Sequence, residues 1–392
     1  MHSYSISKLL DLEGLQIKKF HRTNTSIKFY ATTTKRQVLC PACKATTSKV
    51  HDYRNQVIKD LPINAISVQI ILKKRRYVCS CGKRFYEDYS FLPKYQRKTN
   101  RLNAFICNQM AKSIPVTTIA GDLNLSAATV TRIFDHVSYP KPSRLPKVLA
   151  IDEFKGNAET GKYQCILVDP VKKRVLDILP DRRQHCLVEY FKSIPRFERN
   201  KVKFFVCDMW AQYAKTARIF FPNAKIIVDK YHFIRQVTWA VENIRKRVQK
   251  SMPASLRKYF KRSRTLILKR FHNLTKDQKE RLEAMLLYSE DLRAAYWIKE
   301  KFYMICKMDK YSEQRKAYVQ WVQYVASLQL TEFKSCMTAF QNWHKEILNA
   351  LKHGYTNGPT EGFNNKITVL KRVSYGIKNF TRFRNRILHI CY

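Results

Sequence analysis

Five short apolar runs between residues 148 and 228 leave this chain few ways to fold, because turn and helix signals separate them in a definite order. Val148–Ile151, Tyr163–Val168 and Arg174–Leu179 read as three consecutive strands, divided by Gly156 and Gly161 and then by an Asp169-Pro170 turn. A helix is predicted over Arg183–Ile194, a fourth strand over Val202–Cys207, a helix over Ala211–Phe220 and a fifth strand over Lys225–Val228. Three strands joined by tight turns, followed by alternating helix and strand, make a mixed α/β sheet. Periodicity alone says no more than that.

The flanking regions carry different signals. Residues 1–95 hold paired cysteines and one alternating stretch, Ile66–Leu72, that reads as a strand. Residues 97–138 look helical. Pro140, Pro142 and Pro146 then form a linker, since proline lacks an amide hydrogen and cannot continue a helix. From about 231 to 352 the strand signals vanish, while Val237, Val241, Ile244 and Val248 keep helical spacing, as do Phe340, Trp343 and Ile347. We read these as packing residues of a helical insertion rather than base-stacking platforms. The expected division is a zinc-ribbon-like module over 1–95, a helix-turn-helix segment over 96–140 and an α/β domain over 141–392, interrupted by the insertion.

Lys and Arg outnumber Asp and Glu by 74 to 30, a formal net charge of +44. A folded chain this basic repels itself unless a polyanion is present, so nucleic acid is the expected partner. A membrane is not expected, because no apolar run approaches the ~18 residues of a spanning helix and the basic residues are spread through every region. The opening Met1-His-Ser-Tyr-Ser-Ile-Ser7 lacks the basic and apolar parts of a secretory signal. The eleven cysteines do not form a disulfide framework: several, such as Cys165, Cys207 and Cys306, stand singly in apolar runs, which fits a reducing cytoplasm.

Cys40-Pro-Ala-Cys43 and Cys79-Ser-Cys81-Gly82 are two short knuckles separated by 35 residues. Zinc takes four tetrahedral N or S ligands, and each knuckle supplies two on a tight turn. The second is shorter than the commoner Cys-x-x-Cys, so His51 is an alternative ligand, and four reduced cysteines in a small core are an alternative to zinc. Ile114–Phe134 reads as a helix-turn-helix: Thr117–Leu123, a turn at Asn124-Leu125, and Ser126 capping a second helix. Thr129, Thr131 and Arg132 then lie near the start of a recognition helix, where small polar and methyl-bearing side chains suit a major groove. An ordinary helical hairpin is the alternative.

Three acids stand out against the basic background: Asp152 and Asp208 after apolar strands, and Glu361 at the start of a probable helix with Pro359 in its first turn. Carboxylates so placed would hold Mg²⁺ or Mn²⁺ facing a polyphosphate, in a two-metal arrangement for phosphodiester chemistry. Asp169, Asp177 and Asp229 compete as strand-end acids, and spacing does not exclude them. Glu153 is expected on the opposite face from Asp152, and Glu361 off the Phe363/Ile367/Leu370 stripe, with Asn365 and Thr368.

Four stretches carry a closer resemblance: Ala150-Ile-Asp-Glu-Phe154, Val206-Cys-Asp-Met-Trp-Ala-Gln-Tyr213, Val228-Asp-Lys-Tyr-His-Phe233 and Thr356-Asn-Gly-Pro-Thr-Glu-Gly-Phe-Asn-Asn-Lys366. In them the chain resembles bacterial DDE transposases of the ISL-three insertion-sequence family. The resemblance implies a ribonuclease-H-like catalytic domain with Asp152, Asp208 and Glu361 as its triad. It implies binding of terminal inverted repeats, metal-dependent cleavage to free 3′-hydroxyls, strand transfer into target DNA, and a homodimer or larger assembly on DNA in the bacterial cytoplasm and nucleoid. His232 would approach the site, or else serve a structural role beside Asp229. Lys366, Lys371, Arg372, Lys378 and Arg382 in the basic tail would meet the phosphate backbone. A nuclease that cuts without joining, and a transposase-derived regulator without catalysis, are the alternatives.

Overall fold

The structure, a computed structural model, describes residues 10, 12, 14–34, 36–156, 159–260 and 263–391. It divides into two compact units, Met1–Pro140 with Lys366–Ile390, and Lys141–Asn365 with Cys391–Tyr392.

The first unit is built on a larger sheet than the sequence announced. Strands β1 (Leu15–Arg22), β2 (Ser26–Thr33), β5 (Val50–Ile63), β6 (Ile66–Val78) and β7 (Arg84–Tyr86) pair in the order β1-β2-β6-β5, with β7 also on β6. The short hairpin β3 (Val38–Leu39) and β4 (Thr46–Thr47) stands apart from it. Alternation sends Ile17, Ile27, Phe29, Ile58, Val68, Ile70 and Leu72 into one core. The β5–β6 turn puts Asn64 and Ala65 at φ 51° and 62°, the mirror-image turn that matches strand twist. Ala65 stands where glycine is usual, so no turn signal was visible there.

Helices Asn100–Met110, Val116–Asp122 and Ala127–Phe134 follow and share a core of Leu102, Ile106, Ile119, Val130 and Phe134. The expected turn is present: Asn124 takes φ 50°, the Leu125 amide donates to Ala120 O at 2.8 Å, and Ser126 Oγ accepts the Thr129 amide at 3.2 Å. A cap of this kind contributes about 1 kcal/mol.

Helix Phe380–Cys391 counts with this unit through Ile390, although sequence continuity had assigned it to the α/β domain. Phe383, Ile387 and Leu388 are buried. Arg386 is 1% exposed and donates to the carbonyls of Met110, Lys112 and Ile114. Met110 is the last residue of Asn100–Met110, where a helix leaves acceptors unsatisfied, and Lys112 and Ile114 lie just beyond it. His389 bridges the Tyr139 hydroxyl and the Cys107 carbonyl. An apolar stripe in sequence says that a helix packs, not which core receives it.

The second unit follows the predicted order closely. Its sheet runs β10-β9-β8-β11-β12, from β8 (Val148–Lys155), β9 (Tyr163–Asp169), β10 (Arg174–Leu179), β11 (Phe204–Cys207) and β12 (Lys225–Val228). The first three are antiparallel, while β8, β11 and β12 are parallel. Helices Gln184–Lys192 and Ala211–Phe220 cover one face, burying Leu187, Phe191, Tyr213 and Ala217 against Leu149, Ile151, Phe205 and Cys207. From Lys230 to His353 the described elements are all helical. Val237, Val241, Ile244, Val248, Phe340 and Ile347 are buried, so they pack as expected; Trp343 is partly buried. Among the described residues no helix is long and apolar enough to cross a membrane.

Candidate catalytic and zinc-binding sites

Strand pairing brings two of the three acids to one level. β11 and β8 pair through Val206↔Ala150, so Asp208 and Asp152 each lie two residues further along neighbouring parallel strands. β8 does not end at Asp152 but continues to Lys155 on the β9 side, with Asp152 opposite Ile166. The acid therefore sits where β8 has lost one neighbour and kept the other, half-open to solvent and rigidly placed.

Burial pushes the carboxyl of Asp152 up to about 7, helped by the negative charges of Glu153 and Asp229. Opposing this, the Glu153 amide donates to Asp152 Oδ1 at 2.8 Å and Asn364 Nδ2 to Oδ2 at 3.0 Å. Burial likewise pushes Asp208 up to about 7, with Glu153 and Asp152 as further negative neighbours. Asp208 Oδ1 is buried without a hydrogen-bond partner among the described residues. A buried carboxylate oxygen left bare is costly unless a cation or donor meets it. That is the donor chemistry Mg²⁺ or Mn²⁺ takes, so these two residues fit such an ion.

Glu361 lies in the first turn of helix Gly358–Val373, exposed, while Phe363, Ile367 and Leu370 are buried as the stripe required. Its negative charge acts on His232. The three acids are not drawn together tightly: among the described residues, the only group of three or more His, Cys, Asp or Glu with all ligand atoms within 4.8 Å of one another is a set of four cysteines.

The competing strand-end acids, like Asp152, accept hydrogen bonds within the fold. Asp169 accepts the Val171 and Lys172 amides of its turn, and Asp177 accepts from the Ile178 amide and the Tyr190 hydroxyl. Asp229 caps helix Lys230–Ser251 through the Tyr231 amide and accepts the Asn357 amide at 2.7 Å. Asn357 also donates to Ile151 O at 3.1 Å. Asp229 and Asn357 thus fasten the segment leading to Glu361 onto the strand ends beside Asp152. The His232 ring makes no hydrogen bond among the described residues, and burial holds it below the usual histidine range. Glu153 is engaged by Arg182 at 2.6 Å and the Tyr213 hydroxyl at 3.1 Å, on the Ile151 side of the strand.

Sequence reasoning missed Asn357, Asn364 and Arg182. Both asparagines stood within a quoted motif, but an asparagine's donor duty depends on which backbone reaches it. Arg182 was one basic residue among 74.

The cysteine site is sharper. Cys40 Sγ lies 3.7 Å from Cys81 Sγ, and Cys43 Sγ 3.5 Å from Cys79 Sγ. Tetrahedral Zn–S bonds of about 2.3 Å place sulfurs about 3.8 Å apart, so the set fits zinc. The Cys81 amide, then the neighbouring Cys43 thiol, favour the thiolate of Cys79, pushed down to about 6. Lys44 and Gly82 take φ 62° and 79° to turn each knuckle. The shortened second knuckle therefore still supplies both sulfurs, and His51 is not the substitute: it is exposed and held by Asp52 at 2.7 Å. All eleven cysteines are free.

Among the residues expected to meet DNA, Arg132 is exposed and braced against Ala128 O and Thr129 Oγ1. Thr131 Oγ1 is turned back onto Ala127 O at 2.8 Å. Lys366, Arg372 and Lys378 are exposed, and Lys371 is half-buried. The fork of Arg382 is given to Asp135 by two bonds of 2.7 Å.

Comparison with known proteins agrees with this layout. Residues 149–387, more than half of the chain, match the transposase domain of the ISL3 family. Residues 87–138 match the helix-turn-helix domain of transposase family ISL3, and 36–81 the zinc-finger of transposases IS204/IS1001/IS1096/IS1165. The chain is 27% identical over 368 residues to the transposase for insertion sequence element IS1001 of Bordetella parapertussis, covering 90% of this chain and 89% of that one. A shorter likeness, 32% over 109 residues, covers 27% of this chain and 33% of a Lactococcus lactis subsp. lactis protein named ATP-dependent protease.

A zinc-finger segment, a helix-turn-helix and this α/β unit together define a DNA-binding transposase. The chain belongs to the ISL3 family of transposases.

Proposed function

We propose that the second unit is a ribonuclease-H-like catalytic domain that cuts the ends of an insertion sequence with divalent metal and joins them to target DNA. The observation that carries this reading is the pair Asp152 and Asp208, level on adjacent parallel strands, with a bare buried oxygen on Asp208. The sheet order β10-β9-β8-β11-β12, antiparallel then parallel, supports the fold.

In this reading Asp152, Asp208 and Glu361 hold Mg²⁺ or Mn²⁺, which when bound supplies Lewis-acid activation of the attacking oxygen and charge relief at the leaving one. Asn364 fixes the orientation of Asp152. Asp229 and Asn357 hold the approach to Glu361. His232, which burial holds below the usual histidine range, would exchange a hydrogen bond with water or a phosphate oxygen. The first unit recognises the terminal inverted repeats, with Thr129, Thr131 and Arg132 at the groove and Lys366, Lys371, Arg372 and Lys378 along the backbone. Arg382 braces Asp135 beside them. Cleavage frees 3′-hydroxyls that attack target DNA directly, and two ends held together call for a homodimer or larger assembly working in the cytoplasm at the nucleoid.

The test is a cleavage-and-joining assay on DNA carrying the element's ends, with Mg²⁺ or Mn²⁺. Asp152→Asn, Asp208→Asn and Glu361→Gln are each expected to abolish chemistry while binding persists. Full activity in any one removes that residue from the triad, and ends that are cut but never joined identify a nuclease.

A further inference from the structure

Arg182 follows β10, and its Nη1 donates to Glu153 Oε1 at 2.6 Å. Its guanidinium lies over the rings of Tyr163, 4.3 Å from the centroid, and Trp210, 4.9 Å away. Trp210 is held edge-on by Tyr213 at 4.6 Å between centroids, and Tyr213 donates to the second Glu153 oxygen at 3.1 Å. Two aromatic rings and a carboxylate therefore fix the fork, yet the side chain keeps 32% of its exposure.

A guanidinium offers five N–H donors. One is spent on Glu153, and Nε and Nη2 make no hydrogen bond among the described residues. Neutralising Glu153 needs only a positive charge, and a lysine would serve. A planar fork, clamped in place with donors to spare, is instead the geometry that binds two phosphate oxygens at once. The Trp210 ring it covers lies two residues after Asp208, and its charge is among those that act on that acid. Cation–π contact with two rings holds the guanidinium without using its N–H edges.

We propose that Arg182 binds a backbone phosphate of the DNA strand processed at Asp152 and Asp208, as a substrate-binding residue of that site. This rests on the reading of those acids as the cutting site. A basic residue at this place gives the site a contact with the strand next to the bond being cut, independent of the first unit's grip on the element end.

The test is a methylphosphonate scan of a duplex carrying the terminal sequence of the insertion element that encodes the chain, each analogue removing one backbone charge. Binding to the full-length protein is measured first, in Ca²⁺, so that the contact is read whether or not cleavage occurs. Wild type is expected to lose about 10- to 100-fold in affinity at one or two phosphates, the size of a charge-assisted contact. Arg182→Gln is expected to bind the unmodified duplex that much more weakly and to be indifferent to those same analogues. Its slope of log affinity against log salt should fall by about 1. Arg182→Lys, which keeps the charge without the fork, should lie between and guards against a glutamine variant that fails to fold. If the losses from either variant and from every analogue simply add, Arg182 touches no phosphate and the proposal is overturned. Wild type that binds through Arg182 but cuts no DNA with Mg²⁺ or Mn²⁺ refutes the reading of the acids and leaves the contact standing.

Discussion

The cysteine site of the first unit and the carboxylate site of the second are assembled in opposite ways. Four thiols lie within 4.8 Å of one another on two tight turns, whereas Asp152, Asp208 and Glu361 share no such cluster. Thiols can share protons and sit close while neutral, but carboxylates at short range repel and must hold protons or cations to approach. The fold answers the second problem by restraint from outside: strand register sets Asp152 and Asp208, and Asn364, Asn357 and Asp229 tether the neighbourhood. A closed ligand shell suits a structural metal, and an open one suits chemistry.

The largest test of this contrast crosses the two sites. Stripping zinc with a chelator, or Cys79→Ser, is expected to unfold the knuckles and abolish binding of the element ends, because metal binding in such small segments is folding free energy. The α/β unit should keep its own melting transition. Asp208→Asn should do the reverse, with binding kept and cleavage lost. If chelating zinc collapses both transitions together, the two sites are not the separate devices described.

A smaller effect is expected at Asn364. Asn364→Ala removes the donor to Asp152 Oδ2 and should cost about 10- to 100-fold in metal affinity or activity, as loss of an orienting partner does elsewhere. Titrating Mn²⁺ against variant and wild type measures it, and an unchanged titration would make the contact incidental.

The smallest effect is on pH. Asp152 and Asp208 are both pushed up to about 7 in the folded chain, against an ordinary aspartate value of 3.8. A raised carboxyl makes the native state bind more protons than the unfolded one, so without metal stability falls as pH rises from about 4 to about 7. Divalent metal needs the ionised carboxylates, so its apparent affinity should climb across the same range and level off above 7. The gain in melting temperature on adding Mg²⁺, measured from pH 5 to 8, should grow with pH. A gain independent of pH would separate these acids from the metal.

Much of the second unit was legible because its strands are apolar runs bounded by turn residues, so β9, β10 and β12 fall within a residue of expectation. β8 was read four residues short, because Asp152 and Glu153 interrupt the apolar run while the backbone continues to pair with β9. In the first unit β1, β2 and β5 went unread: their outward faces are rich in Lys, Thr and Tyr, and the β5–β6 turn lacks glycine. At the site, residue type pointed to the acids and the cysteines. Preferring Asp152 and Asp208 to Asp169, Asp177 and Asp229 rested on the family resemblance, since all are acids at or near strand ends and spacing does not separate them. The same holds for Asn357 and Arg182, whose roles exist only across contacts distant in sequence.

Arg386 and the carbonyl of Met110 are 276 residues apart along the chain. At ribosomal speeds of about 5–20 residues per second, the helix that closes the three-helix core is made roughly 10–60 s after that core's first helix. During that interval the carbonyls of Met110, Lys112 and Ile114 lack the Arg386 donor. A nascent chain thus carries its DNA-reading helices long before the piece that locks them is made, and the first unit is finished only after residues 141–365 have been made.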